Sequence, residues 1–286
     1  MPYPQIPAPY GLKPVNLVGG QVFTQGVRSY PIQYGYSANI FYGDFVRVSP
    51  SAPGGMLLRA AVGAATASNA YTGIFLGCSF TNPITKQQTF SEFWPTGTLA
   101  GDAVGFVCED PDTVFKAVVC SATTVVASGA LGMIGNNLSM IDNSAVASSL
   151  STGNSANAVL APTATPVTSI LPVRCVGVVP DTAITYSAVA TSASSTTTIN
   201  AVAPAALPIG TSIAYVAPNG QIIETGSFLT AAATAGAATQ TMNAQPNVQG
   251  SGTNIPSAAT IIYTIYPEIL VKPNLLSHGY YSSTTA

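Results

Sequence analysis

Ala103-Val104-Gly105-Phe106-Val107-Cys108 and Val114-Phe115-Lys116-Ala117-Val118-Val119 flank Glu109-Asp110-Pro111-Asp112-Thr113, and this stretch decides how the chain is read. Both flanks are short and rich in β-branched and aromatic residues, as strands are, and Asp-Pro-Asp between them is turn chemistry. The same rhythm recurs at 15–18, 39–48, 71–80 and 173–179, with Gly, Pro, Asn or Asp bounding most of the runs. Within 39–48 a break is expected at Gly43-Asp44. Long helical periodicity is absent, and the apolar stretches 60–70 and 131–150 are too interrupted by Gly, Ser and Thr to predict helices. The fold class is all-β, with a β-barrel or sandwich-like main domain.

Composition narrows the function. Of 286 residues, 47% are apolar and only 6% charged, against roughly a quarter charged in an average soluble domain. The outside must therefore be built from Ser, Thr, Asn, Gln, Gly and backbone. With little charge to repel its neighbours, such a surface suits a protein that packs against other subunits. The eight cations (Lys13, Arg28, Arg47, Arg59, Lys86, Lys116, Arg174 and Lys272) are scattered singly and the net charge is −2. Phosphate binding needs clustered Lys and Arg, so nucleic acid is not an expected partner. No stretch is long and apolar enough to predict a membrane-spanning helix, and no membrane partner is expected. The start, Met-Pro-Tyr-Pro-Gln-Ile-Pro, does not read as a secretory signal, so synthesis in a cytoplasm is the expectation.

Three regions follow. Residues 1–14 hold five prolines with Tyr3, Ile6 and Tyr10 among them. Proline at this density favours an extended arm without ladder hydrogen bonds, here expected to dock on a neighbour through Tyr3, Ile6, Tyr10, Leu12 and Lys13. Between Thr182 and Pro267 the only charged residue is Glu224, and Ala, Thr, Ser and Gly dominate. This stretch, 185–263, is expected to be an inserted, outward-facing β-module within a domain made of 15–184 plus 264–286. Ala217-Pro218-Asn219-Gly220 between two β-prone runs predicts a hairpin with a type I′ turn. A weak repeat sets Thr198-Ile199-Asn200-Ala201 against Thr241-Met242-Asn243-Ala244, and Ile213-Ala214-Tyr215 against Ile261-Ile262-Tyr263. It suggests two related β-units.

The search for chemistry finds little. His278 is the single histidine and lies in a terminal tail, a poor platform for a catalytic triad. Glu109, Asp110 and Asp112 read either as a solvated turn or as oxygen ligands for a hard cation such as calcium. Cys78, Cys108, Cys120 and Cys175 lie far apart beside apolar residues and read as reduced, buried thiols rather than a disulfide framework or zinc site. Trp94 reads as core or interface anchor. No phosphate-binding loop, dinucleotide fingerprint or nucleophile elbow occurs. No catalytic residue, metal or cofactor is expected, and the chain reads as non-enzymatic.

Gly11-Leu12-Lys13-Pro14-Val15-Asn16-Leu17, Gly20-Gln21-Val22-Phe23, Gly35-Tyr36 and Asn39-Ile40-Phe41-Tyr42-Gly43-Asp44-Phe45-Val46 together resemble a virion structural protein of tailed bacteriophages. Gly73-Ile74-Phe75-Leu76-Gly77-Cys78, Val107-Cys108-Glu109-Asp110-Pro111-Asp112 and Glu268-Ile269-Leu270-Val271-Lys272 fit the same pattern. The likeness covers roughly 11–184 and 264–286, and the 185–263 module departs from it. What it implies is a capsid decoration (cement) protein on the virion head surface, made in the host cytoplasm. Such a protein clamps major capsid protein subunits and associates with itself, as a homotrimer in the commonest arrangement. A tail, fibre or collar component is the alternative within the same class. A host-surface carbohydrate-binding module, with contact through 185–263, is the alternative from another class.

Overall fold

The computed structural model describes residues 8–24, 26–49, 55–60, 71–120, 129, 131–142, 150–161, 171–195, 197–217, 219–243 and 255–274. Within them the chain is all-β. Strands β1 (Lys13–Leu17), β2 (Val27–Pro31), β3 (Phe45–Val48), β4 (Leu57–Arg59), β5 (Gly73–Thr81), β6 (Gln88–Ser91) and β7 (Val104–Cys108) lead to the 109–112 turn. After it come β8 (Thr113–Cys120), β9 (Asn137–Leu138), β10 (Met140–Ile141), β11 (Ala158–Leu160) and β12 (Val173–Val178). Next are β13 (Ile184–Val189), β14 (Thr198–Asn200), β15 (Ser212–Val216), β16 (Ile222–Phe228), β17 (Thr239–Thr241) and β18 (Thr260–Ile265), with β19 (Glu268–Pro273) last. Single 3-10 turns occupy Leu131–Met133 and Pro180–Thr182.

The 109–112 turn does not close a hairpin. β7 belongs to a six-stranded sheet of order β2-β7-β5-β3-β4, with β6 on β5. A parallel bridge between Ile32 and Leu57 brings the two ends of that order together, so the sheet curls into a small, nearly closed barrel. β8 belongs to a second sheet of order β10-β11-β8-β19-β12-β9, with β1 also on β8. Its end strands β9 and β10 are separated in the chain only by Ser139, whose carbonyl accepts from the Leu160 N–H at 2.9 Å. The second sheet therefore also curls back on itself.

Side chains alternate between the faces of a strand, and here both faces are used. Phe45, Ile74 and Cys108 join a core shared with Phe115, Val119, Val173, Ile269 and Val271 of the second sheet. Their neighbours Val46, Phe75 and Val107 point the other way, into the barrel with Leu57 and Trp94. A strand buried on both faces reads as a continuous apolar run, which is why 103–108 and 71–80 show no polar alternation. Close approach of the strands also fixes Gly73, where a Cβ would lie 2.2 Å from the Cys108 carbonyl oxygen.

β13 to β18 form a sheet of order β13-β18-β15-β16 and a separate pair, β14-β17. They enclose a core of their own, with Ile199, Leu207, Ile213, Leu229, Ile261 and Tyr263. None of these strands enters either of the two larger sheets among the described residues. β15 and β16 are joined as a hairpin, but the turn is not type I′. Among its described residues only Gly220 has positive φ, 81°, and Ala217 and Gln221 are hydrogen-bonded across a longer loop. The glycine supplies the one left-handed residue among those described in the loop.

The repeat is a pseudo-twofold. β13-β14-β15 and β16-β17-β18 are two copies of one unit, and the twin strands β15 and β18 pair antiparallel, with Ile213 opposite Tyr263 and Tyr215 opposite Ile261. β13 lies on β18 as β16 lies on β15. Loop bonds recur in the same places. Thr191 N–H donates to Asn200 O and Thr230 N–H to Thr241 O; Ala190 N–H donates to Ala259 O and Leu229 N–H to Thr211 O. These bonds equate Asn200 with Thr241, so the first part of the sequence match was misaligned by two residues. Thr198 and Thr241 are partners across the β14-β17 ladder instead.

The 1–14 arm needs correction. Residues 1–7 lie outside the described residues, but Leu12 is fully buried and Lys13 and Pro14 begin β1, opposite Lys116 and Phe115. Gly11 N–H donates to Asn157 O and Leu12 N–H to Gly43 O. A Cβ on Gly43 would come within 2.7 Å of the Leu12 nitrogen, so glycine lets the two backbones cross. Proline did not prevent a strand, because at Pro14 β1 pairs with β8 alone among the described residues and the ladder shifts register right after it; the bridge on the other side, Asn16 to Val22, lies beyond the proline. Leu12→Ala is accordingly expected to destabilise the fold by about 3 kcal/mol, the usual cost of a buried Leu→Ala change. Urea unfolding of the two proteins measures it.

Candidate functional site

Of the five expected partner contacts, Tyr3 and Ile6 lie outside the described residues, Leu12 is buried, and Tyr10 and Lys13 are half-buried. Leu12 belongs to the shared core. The Tyr10 hydroxyl donates to Glu268 at the start of β19, and its ring lies beneath the ammonium groups of Lys13 (4.8 Å) and Lys116 (5.6 Å). Lys116 also pairs with Glu268 at 3.4 Å. Burial, then Glu268, raises the Tyr10 pKa, so the hydroxyl stays a donor. This cluster fastens the segment before β1 to the last strand; it does not present Tyr10 or Leu12 to a neighbour.

The acidic turn is divided in the same way. Glu109 turns in to accept from the Tyr30 hydroxyl and to pair with Arg28 at 3.2 Å. Asp110 accepts from the Asp112 N–H at 2.8 Å, a side-chain turn that links the two sheets. Among the described residues no group of three or more His, Cys, Asp or Glu is gathered as a metal site. His278 lies outside the described residues. Trp94 is core, edge-on to Phe80 at 5.3 Å.

Asp44 is the most enclosed charge. It follows a tight turn in which its own N–H donates to Phe41 O, the break expected at Gly43-Asp44. The carboxylate accepts from the Phe41 N–H (2.8 Å), the Ser155 hydroxyl (2.5 Å) and the Asn157 amide (3.0 Å). Arg59 approaches it at 3.4 Å and also pairs with Asp142. Burial raises the Asp44 pKa from 3.8 to about 6, against the opposing pull of Arg59, Ser155 and the Phe41 N–H. The four cysteines are unpaired and buried. Burial pushes their thiols up, to about 12 at Cys78 and about 11 at Cys120 and Cys175.

One further feature among the described residues could receive a ligand. An open cleft of about 590 Å³ runs between the Leu131–Met133 turn and the edge of β16. Leu131, Ile134 and Phe228 give it apolar walls, and Asn136, Asn243, Thr230 and Glu224 give it polar ones. β16, which bulges where Ile213 pairs with Ser227 but Ala214 pairs with Glu224, contributes Glu224 and Phe228 to the cleft. Asn243 is held there by accepting from the Phe228 N–H at 2.7 Å. The signal in the sequence was Glu224, the lone charge of its region; nothing marked Leu131, Ile134 or Asn136, which are more than seventy residues away.

Compared with known protein families, curated proteins and solved structures, the chain matches none.

Two outcomes are expected. A carboxylate whose pKa is raised by folding binds more proton in the folded state, so its contribution to stability falls as pH rises from about 4 to about 6. Relative to Asp44→Asn, the wild-type protein should gain roughly 2 kcal/mol between pH 7 and pH 4, read from urea melts at each pH. With all four thiols buried and protonated, native protein should react with a thiol reagent such as DTNB over hours, and unfolded protein within seconds.

Proposed function

We propose that the chain is a non-enzymatic structural subunit of a tailed-bacteriophage virion, seated on the head and binding major capsid protein and copies of itself. One observation carries this reading beyond the sequence resemblance. Large apolar side chains stand exposed together at one end of the small barrel. The ladders put Pro31 opposite Val104, Val104 opposite Ser79, and Thr81 opposite Gln88, so the loops 32–36, 82–87 and 98–103 share that end. On them Tyr34, Ile84 (88% exposed) and Leu99 face solvent, with Phe90 (72% exposed) on the adjoining β6.

These loops are fixed in advance. Asn82 Oδ1 accepts from the N–H groups of Ile84 and Thr85, and Asp102 accepts from the Thr81 N–H and hydroxyl. Gly35 N–H donates to Thr98 O. Preorganised apolar groups lose little entropy on binding, and exposed patches of this kind mark contacts with other proteins. The cleft favours a second reading, a carbohydrate-binding module, because a carboxylate, two amides and an aromatic ring together suit a sugar.

Ile84→Asp combined with Leu99→Asp should leave the melting temperature nearly unchanged and reduce the copies carried per particle several-fold. Mass spectrometry and image reconstruction of purified particles read this directly. Unchanged occupancy counts against the barrel end, and label on the tail counts against the head. Glycan-array binding that is lost in Glu224→Gln would favour the second reading.

A further inference from the structure

The pseudo-twofold of the 184–265 module gives every surface on one half a counterpart on the other, and the two halves are not treated alike. On the β16 side the main body meets the end of the sheet at Gly210 and Phe228. Gly132 N–H donates to Gly210 O at 3.2 Å, and a Cβ on Gly132 would meet Gly210 Cα at 2.9 Å and the Phe228 ring at 3.0 Å. β16 also carries the bulge, and its end is tied to Asn243 by bonds in both directions. Bulges and covering loops are the ordinary means of blocking a sheet edge.

The counterparts follow from the repeated bonds. Ala190 and Ala201 form a bridge as Leu229 and Met242 do, which equates Val189 with Phe228 and Val202 with Asn243. Gly210 N–H donates to Leu229 O as Ala258 N–H donates to Ala190 O, which equates Ala258 with Gly210. Phe228 and Gly210 lie against the main body, whereas Val189 is 59% exposed, Val202 is 51% exposed and Ala258 is open to solvent. β13 itself pairs with β18 in unbroken register from Ile184 to Val189 and has no other strand partner among the described residues. It contains no proline and no charged residue, and no bulge interrupts it. The devices that protect the β16 edge are missing from its twin.

We propose that the β13 edge, with Val189 and Val202 beside it, is a contact between two copies of this chain. An open edge takes an extended backbone, and three observations favour a second copy as its source. An antiparallel pairing of β13 with β13 of another copy is self-complementary, as a twofold contact must be. No like charges oppose one another across it, since Ile184-Thr185-Tyr186-Ser187-Ala188-Val189 is uncharged. The same chemistry already joins the module's own halves, where twin strands β15 and β18 pair across the pseudo-twofold. The joined sheet would run β16-β15-β18-β13 and continue into the same order reversed. This contact rests on the self-packing part of the proposed function, and it is separate from the barrel end.

Sedimentation of the full-length protein over a concentration series tests it. Ser187 and Val189 both face solvent, so Ser187→Lys with Val189→Lys should fold normally, as melting would confirm. In an antiparallel pair it sets like charges near one another and should weaken association by about tenfold or more. Val22→Lys, at an exposed side chain of the main body away from the barrel end, serves as a variant outside this edge and should leave the module contact in place. A Ser187→Cys protein should form an intermolecular disulfide on oxidation. An oligomer that withstands the double lysine change overturns this contact while self-association stands. A wild-type protein that stays monomeric at every concentration overturns both. Association that requires a different virion subunit, and is lost in the lysine variant, overturns the second copy as occupant.

Discussion

β3, β5 and β7 stand between two cores, and neither core can form without them. Phe45, Ile74 and Cys108 serve one, while Val46, Phe75 and Val107 serve the other. A slip of one residue in any of these strands would exchange the two sets and unpack both sides. The 109–112 turn then carries the chain from one sheet to the next, so the barrel and the second sheet are held by covalent connection as well as by the shared core. The rest of the architecture, including the segment threaded past Gly43, is arranged around that double-sided layer.

Three of the few charges lie inside this frame. Asp44, Glu109 and Glu268 are buried carboxylates, and each binds residues distant in sequence: Ser155 and Asn157, Tyr30, and Tyr10. A buried charge left without a partner costs several kcal/mol, so these contacts are demanding about geometry even where their net contribution to stability is small. Arg59, Lys116 and Arg28 are drawn to the same three acids. In a chain with only 18 charged groups, this leaves a surface dominated by hydroxyls, amides and the exposed apolar groups of the barrel end.

The all-β class was legible because strand-forming runs and turn residues are local signals. The fall in charge between Thr182 and Pro267 lies close to the start of β13 at Ile184 and the end of β18 at Ile265. The N-terminal segment was misread for a physical reason. Prolines argue against ladder bonds, but the forces holding Leu12 and Tyr10 come from Gly43, Asn157, Lys116 and Glu268, which no window near residue 12 contains. The cleft was hidden likewise, since its two walls come from residues around 131 and around 228. The repeat was found but aligned two residues out, because in an Ala- and Thr-rich sequence only backbone bonding fixes which residues correspond.

β19 is the last described strand, yet it lies inside its sheet, between β8 and β12, and its Glu268 receives the Tyr10 hydroxyl. On the ribosome, β8 and β12 therefore emerge well before the strand that joins them. From Val178 to Glu268 the intervening chain is the module, and at ordinary elongation rates its synthesis takes on the order of ten seconds. Throughout that interval Phe115, Val119 and Val173 lack Ile269 and Val271, although the barrel strands β2 to β7 are already made; the module itself closes only with β18, which ends at Ile265 just before β19 begins at Glu268. The newly made protein thus passes through a stage in which the seam of the second sheet stands open, the kind of exposed apolar surface that makes a partly made chain prone to aggregate.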